Sequence, residues 1–430
     1  MKAKLTFIAF ALAVVSTLNA QVINPKETAK RKVEDRTNRK ANETIDKGLD
    51  KIEKGIENIF KKKDKKEKDN NPQSGSTNNP DTDQSTAKNG NTDFSKYKNF
   101  DFIPGKNIIF FDNFSDGSTN KWKAYNPVLY SVVPLEGNNW LELRGTRFTP
   151  INLGLLPEEV TIEFDIYVKP VENDVYYGTL NIQFVDQSQK DRLEDPYFDN
   201  SSTISIDPTS EVKGLGRLDY DRNENGEMVL NIDEVGFKTW QPEFDSKPAH
   251  ISIYRKGSKV TLYLNNEKLL NNVDLLSSKR KYGLTFNHQN YFVETAKQFI
   301  TNVRIASGVP NATNEVKSQG KFVTNTIYFD VNSAHIKPES WMTLKQSAEA
   351  IKANPGNFLI VGHTDSDGAD DTNLKLSQSR AAAVKNALVK EFEIDASRLN
   401  TDGKGEAQPI TSNNTASAKE QNRRVEFIKQ

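Results

Sequence analysis

From about Lys96 to Gly308 apolar residues recur at every second position, and no other feature constrains the chain more. Ile162, Phe164 and Ile166 alternate with polar neighbours, as do Leu180, Ile182 and Phe184. A period of two sends one side of an extended strand into a core and the other side out, so this region must build sheets. The clearest unit runs from His250 to Leu269. Ile251 and Ile253, then Val260, Leu262 and Leu264, flank the turn Lys256-Gly257-Ser258, and Asn265-Asn266 supplies a second turn. Many short strands joined this way predict an antiparallel β-sandwich or barrel. A transmembrane barrel would need even alternation over ~10-residue segments, and the polar stretch Gln187 to Ser202 interrupts it.

The flanking regions are of other kinds. Only 35 % of the 430 residues are hydrophobic, below the usual ~45–50 %, so part of the chain builds no core. Residues 71–95 carry almost no apolar side chain and read as a flexible polar linker that cannot offset its ordering entropy. Residues 21–70 read as a basic amphipathic helical segment, with 16 Lys+Arg against 11 Asp+Glu over 22–70. In it Ile45, Leu49, Ile52, Ile56 and Ile59 share one helical stripe. The stripe suits a short coiled coil, a membrane-surface helix or a helix that forms only on docking. The lysines of residues 61–66 are a solvated helix end or a contact for anionic headgroups. Lys2 and Lys4, the apolar run Phe7 to Val15 and the small Ala20 make residues 1–20 an export signal.

There is no cysteine, which excludes disulfides, thiolate metal sites, thiol catalysis and lipidation through that residue. The 58 basic and 58 acidic residues balance, which argues against a nucleic-acid binder. The balance joins unlike parts, because residues 96–310 hold 24 basic against 29 acidic side chains.

From about Gly320 the pattern becomes strand, helix, strand, helix. Ile327 to Phe329 reads as a short strand, and Pro338 suits a first helical position. Trp341, Leu344, Ala348 and Ile351 share one helix face, and Asn354-Pro355-Gly356 ends that helix. Phe358 to Val361 is a buried strand. A second helix runs from about Thr372 to Phe392 with Leu376, Val384, Leu388 and Phe392 inward. Arg398 to Thr401 and Val425 to Ile428 supply further strands, which predicts a small α/β sandwich over 320–430.

Four blocks of that region stand in order: Ile327 to Asn332 (IYFDVN) with Pro338, Val361 to Gly368 (VGHTDSDG), Asn373 to Ala381 (NLKLSQSRA) and Asn422 to Val425 (NRRV). With the glycine-rich Gly403 to Pro409, they strongly resemble the C-terminal domain of the OmpA family. The resemblance implies non-covalent binding to the peptide stem of peptidoglycan at its diaminopimelate, with no catalytic residue, metal or cofactor. It implies that Asp365 takes the ammonium and Arg380 clamps the carboxylate, while Asn332, Asn373, Leu376 and Arg423 line the cleft. Those residue types suit such a ligand, because a zwitterion calls for one fixed carboxylate and one fixed guanidinium. His363 stands beside Asp365, yet no nucleophile or ligand cluster accompanies it, so it reads as structural.

In the middle region, Ile109 to Phe114 (IFFDNF) with Trp122, Thr161 to Ile166 (TIEFDI) and Ile253 to Lys268 resemble the concanavalin-like or laminin-G-like jelly roll of exported Bacteroidetes proteins. That resemblance spans 96–310 and implies either sugar binding or retaining glucanase chemistry. Glu163 and Asp165 match the first two acids of the glucanase strand, but Tyr167 and Val168 occupy both places for the second Glu. The proton donor is missing. Trp122, Trp140 and Trp240 are candidates for stacking on sugar rings or for the core. Asp221 to Gly226 imitates a calcium loop, but Ile232 stands where the bidentate Glu belongs, so a hairpin turn is the reading. Asp221 and Asp219 remain as carboxylates for a weak cation.

The expectation is therefore a non-enzymatic envelope protein on the periplasmic side of the outer membrane. Its partner is the peptidoglycan stem. The alternative is a carbohydrate-binding protein whose sandwich takes a glycan while the C-terminal domain only anchors it.

Overall fold

The computed structural model describes residues 92–135, 137–169, 178–194, 198–208, 216–238, 240, 247–289 and 297–430. The export signal, the amphipathic stripe and most of the expected linker lie outside these residues.

The alternating region forms β1 (Asn107–Asp112), β2 (Trp122–Ala124), β3 (Tyr130–Leu135), β4 (Asn138–Leu143), β5 (Arg147–Pro150), β6 (Glu159–Lys169), β7 (Thr179–Asp186), β8 (Ser201–Asp207), β9 (Gly216–Glu224), β10 (Glu227–Phe237), β11 (Ala249–Lys256), β12 (Lys259–Leu264), β13 (Glu267–Asp274), β14 (Tyr282–Gln289) and β15 (Lys297–Ser307). One sheet runs β13-β12-β11-β6-β15-β4-β3, with β1 also on β15; the other runs β10-β9-β8-β7-β14-β5-β2. Every pair is antiparallel.

The turns fall where the sequence placed them. Lys256 pairs with Lys259 and Leu264 with Glu267, around Gly257 at φ +61° and Asn265 at φ +51°. The imitation calcium loop closes the β9–β10 hairpin, with Asn225 and Gly226 both at positive φ, as a tight two-residue turn requires.

Ile162, Phe164 and Ile166 of one sheet meet Leu180, Ile182 and Phe184 of the other in a single core. Phe164 and Phe286 cross the gap edge to face at 5.6 Å. Trp122, Trp140 and Trp240 are all buried. Of the two candidate roles, burial is the one observed, and none of the three rings is free to lie against a sugar.

The C-terminal part begins with α1 (Ala312–Gln319) and β16 (Lys321–Thr324), continues through α2 (Trp341–Ala353), β17 (Phe358–Gly362), α3 (Asp370–Phe392), β18 (Leu399–Gly403) and α4 (Ala416–Asn422), and ends on β19 (Val425–Lys429). Its sheet runs β16-β19-β17-β18, with β17 and β18 parallel on either side of α3. Trp341, Leu344, Ala348 and Ile351 are buried with Val384 and Leu388 in one core.

Three expectations need correction. Ile327 to Phe329 is no strand; among the described residues it makes the isolated bridge Phe329–Ile336, and the Tyr328 amide is taken by the Ser340 hydroxyl. The edge strand is β16. Leu376 is half-buried and outside the core. The linker reading also extends too far: Phe94 is buried in the C-terminal core against Trp341, at 5.5 Å between ring centres. From there Tyr97, Phe100 and Phe102 run to Tyr263 of β12, so residues 94–102 strap the α/β unit to the sandwich.

The α/β unit covers part of the outer face of β6, β11 and β15. Glu163 and Asp165 point there, away from the core, and both are buried. Arg304 of β15 reaches Glu163 at 2.9 Å and the Gly105 carbonyl at 2.6 Å, and Tyr328 donates its hydroxyl to Glu163 at 2.9 Å. Asp165 accepts from Asn302 at 2.7 Å and lies 2.7 Å from His250 Nδ1. The two acids that matched a glucanase strand are therefore consumed in an interface.

Candidate functional site

Two close backbone contacts place Asp365. Beyond β17, the His363 amide donates to the Arg424 carbonyl (3.0 Å) and the Thr364 amide to the Gly405 carbonyl (2.9 Å). The chain is thus held between its neighbours up to the residue that matters. Asp365 is buried; one oxygen accepts the Asp367 amide at 3.1 Å, and the other pairs with Arg423. Asn373, in the first turns of α3, is buried beneath this loop. Its amide donates to the Asp365 and Asp367 carbonyls (3.3 and 3.1 Å) and to Glu406 at 2.6 Å.

Arg423, just past α4, binds Asp365 and Glu420 together. Burial opposes its charge, but Glu420 and Asp365 outweigh that and hold its pKa above the ordinary value.

Arg380 lies near the middle of α3. Its Nε donates to the Ser333 carbonyl at 3.0 Å, and its guanidinium carbon sits 4.8 Å from the centre of the Phe329 ring. Among the described residues it has no ion-pair partner. Burial and the neighbouring Arg423 cation push its pKa down to about 10, against the pull of Asp365 and Glu420. It stays charged at neutral pH.

Asn332 is exposed at φ +52°, on the loop whose next residue holds Arg380. Leu376 lies one helical turn before Arg380 on α3, half-buried. Asp365, Asn373 and Arg423 are thus joined by direct bonds, and Arg380 joins them through the fields of Asp365 and Arg423. Asn332 and Leu376 have no bond to the cluster.

Glu420 and Glu406 belong to this cluster and were not read from the sequence. Glu420 stands three residues before Arg423, a spacing that a helical reading of Ala416–Asn422 would have exposed. His363 is buried with Nε2 3.3 Å from Glu426, and together with Arg424 it holds that carboxyl down at about 2. Glu426 thus gives it a carboxylate partner within the fold.

Three carboxylates, Asp365, Glu406 and Glu420, and two guanidinium groups, Arg380 and Arg423, therefore meet in one place. The family model for the OmpA family matches residues 328–423, a span holding all six expected site residues. Outer membrane protein A of Bordetella avium is 37 % identical over 133 residues, which are 30 % of this chain and 68 % of that protein. The chain belongs to the OmpA family. The probable lipoprotein YiaD of Escherichia coli is 47 % identical over 104 residues, 24 % of this chain and 47 % of that protein. The peptidoglycan-associated lipoprotein of Pseudomonas putida is 35 % identical over 104 residues, 24 % of this chain and 62 % of its own length. The chain thus spans about half the length of the E. coli relative, and the OmpA-family match leaves the sandwich outside it.

Proposed function

We propose that the protein is a non-enzymatic, exported envelope protein that binds the peptide stem of peptidoglycan through residues 320–430, on the periplasmic side of the outer membrane. The observation that carries this reading is Arg380: a charged guanidinium without a carboxylate partner, set beside the Asp365–Arg423–Glu420 cluster. A diaminopimelate side chain presents an ammonium and a carboxylate on one carbon. Its carboxylate docks on the two free Nη groups of Arg380 as a bidentate pair. Its ammonium turns to Asp365, which it shares with Arg423. A zwitterion leaves the net charge of the site unchanged, so little charge is stranded on binding. Family membership and the name of the Pseudomonas putida relative support the same ligand class.

The test is co-sedimentation with purified sacculi. Asp365→Ala and Arg380→Ala should each stay in the supernatant under conditions where the parent protein pellets. Arg380→Lys should bind more weakly than the parent, because an ammonium cannot make the paired contact. If both alanine variants pellet like the parent, the site is wrongly assigned.

A further inference from the structure

We infer that Phe111 of the sandwich is a positioning residue for the stem site, acting through Arg423; the inference rests on the stem-binding reading above. Phe111 stands on β1 directly opposite Arg304 of β15, so both side chains leave the sheet on its outer face. The ring is buried, and the Arg423 guanidinium carbon lies 5.9 Å from its centre.

A guanidinium is flat. Carboxylates take its edge, and an aromatic ring takes its face. Asp365 and Glu420 occupy the edge of Arg423, and its guanidinium carbon lies over the Phe111 ring. The ring therefore sets the plane of Arg423. That plane decides how Arg423 engages Asp365, whose other oxygen is already held by the Asp367 amide. An incoming ammonium must share Asp365 with Arg423, so a tilted Arg423 changes how much of the carboxylate the ligand finds. The IFFDNF segment of the sandwich thereby becomes part of the wall-binding machinery.

The experiment titrates the full chain with a meso-diaminopimelate-containing tetrapeptide by calorimetry, using Phe111→Leu, Phe111→Tyr, Arg423→Lys and the Leu/Lys double variant. Phe111→Leu should weaken binding about fivefold, as loss of a partly desolvated cation–π contact implies, while Phe111→Tyr binds like the parent. With Arg423→Lys in place, Phe111→Leu should cost nothing further, because no flat face remains to be set. Equal affinity of Phe111→Leu and the parent overturns the inference, as does a loss that simply adds in the double variant. Because the cycle compares Phe111→Leu with and without Arg423, it decides the matter even if that variant is less stable. A parent protein that does not bind the peptide overturns the stem reading, and this inference with it. A parent that binds, with Phe111→Leu unmoved, sinks only the positioning role.

Discussion

Arg380 and Asn373 share a helix and a family motif, yet their physical roles are opposite. Asn373 is buried and uses its amide on three acceptors, the Asp365 and Asp367 carbonyls and the Glu406 carboxylate. Asn373→Ala leaves those acceptors short of a donor, at a cost of about 1–3 kcal/mol. The midpoint of urea unfolding should fall accordingly, with the slope unchanged. Arg380 is a largely desolvated cation that the fold does not neutralise, and such a group costs stability. Arg380→Leu should therefore unfold at the same urea concentration as the parent or higher, while losing sacculus binding. An Arg380→Leu variant clearly less stable than the parent would show that the guanidinium serves the fold rather than a ligand.

At the scale of elements, the site depends on how closely α3 approaches the sheet. Gly362 and Gly403 are register partners on β17 and β18. A Cβ on Gly362 would stand 2.3 Å from the Ser377 carbonyl oxygen, and one on Gly403 2.4 Å from the Gln378 amide nitrogen. Both obstacles are helix backbone, so the strands can carry no side chain there unless α3 moves. Gly362→Ala should cost about 1–3 kcal/mol or more by overpacking, visible as a lowered melting temperature. It should also weaken sacculus binding, because Arg380 lies three residues beyond Ser377 on the same helix. A variant with unchanged melting temperature would mean the helix yields freely.

This approach was invisible in the sequence, where the two glycines stand only as members of motif blocks. The α2 face, β17 and the hairpins at Gly257 and Asn265 were legible, since each rests on a local signal: a helical stripe, an apolar run or a turn residue. The short polar α4 has no apolar stripe, and with it Glu420 was missed. The Ile327–Phe329 run has strand chemistry, but the hydroxyl of Ser340, just before α2, takes the Tyr328 amide.

For the molecule as a whole, a period of two tells which face a residue takes and not what covers that face. Glu163 and Asp165 read as outward, and they are; the α/β unit then buries them. His250 faces Asp165 at 2.7 Å and Glu163 at 3.8 Å, with Glu339 of the α/β unit adding to the negative field. Burial disfavours the charged ring, but these carboxylates outweigh it and push its pKa up to about 10. A histidine raised in the fold adds stability that is fully present below about 6.5, its unfolded value, and disappears as pH rises through 10. Burial also works against the Glu163 and Asp165 anions. Arg304 and His250 hold Glu163 below its ordinary pKa, and Lys337, His250 and Asn302 do the same for Asp165. Their contribution is present above about 4 and fades in acid. The protein should therefore be most stable between about pH 4.5 and 6.5. Its unfolding free energy should decline by a few kcal/mol towards pH 9.5, at 1.36 kcal/mol per pKa unit. In His250→Gln that alkaline decline should flatten, since no proton is then lost at the interface, while the acid limb shrinks but persists through Arg304 and Lys337. Guanidinium unfolding at pH 5.5, 7.5 and 9.5 measures both limbs. A parent protein equally stable at all three values would mean that His250 enters the interface neutral, and that the sandwich and the α/β unit are held together by packing around Phe94, Phe100 and Tyr263 instead.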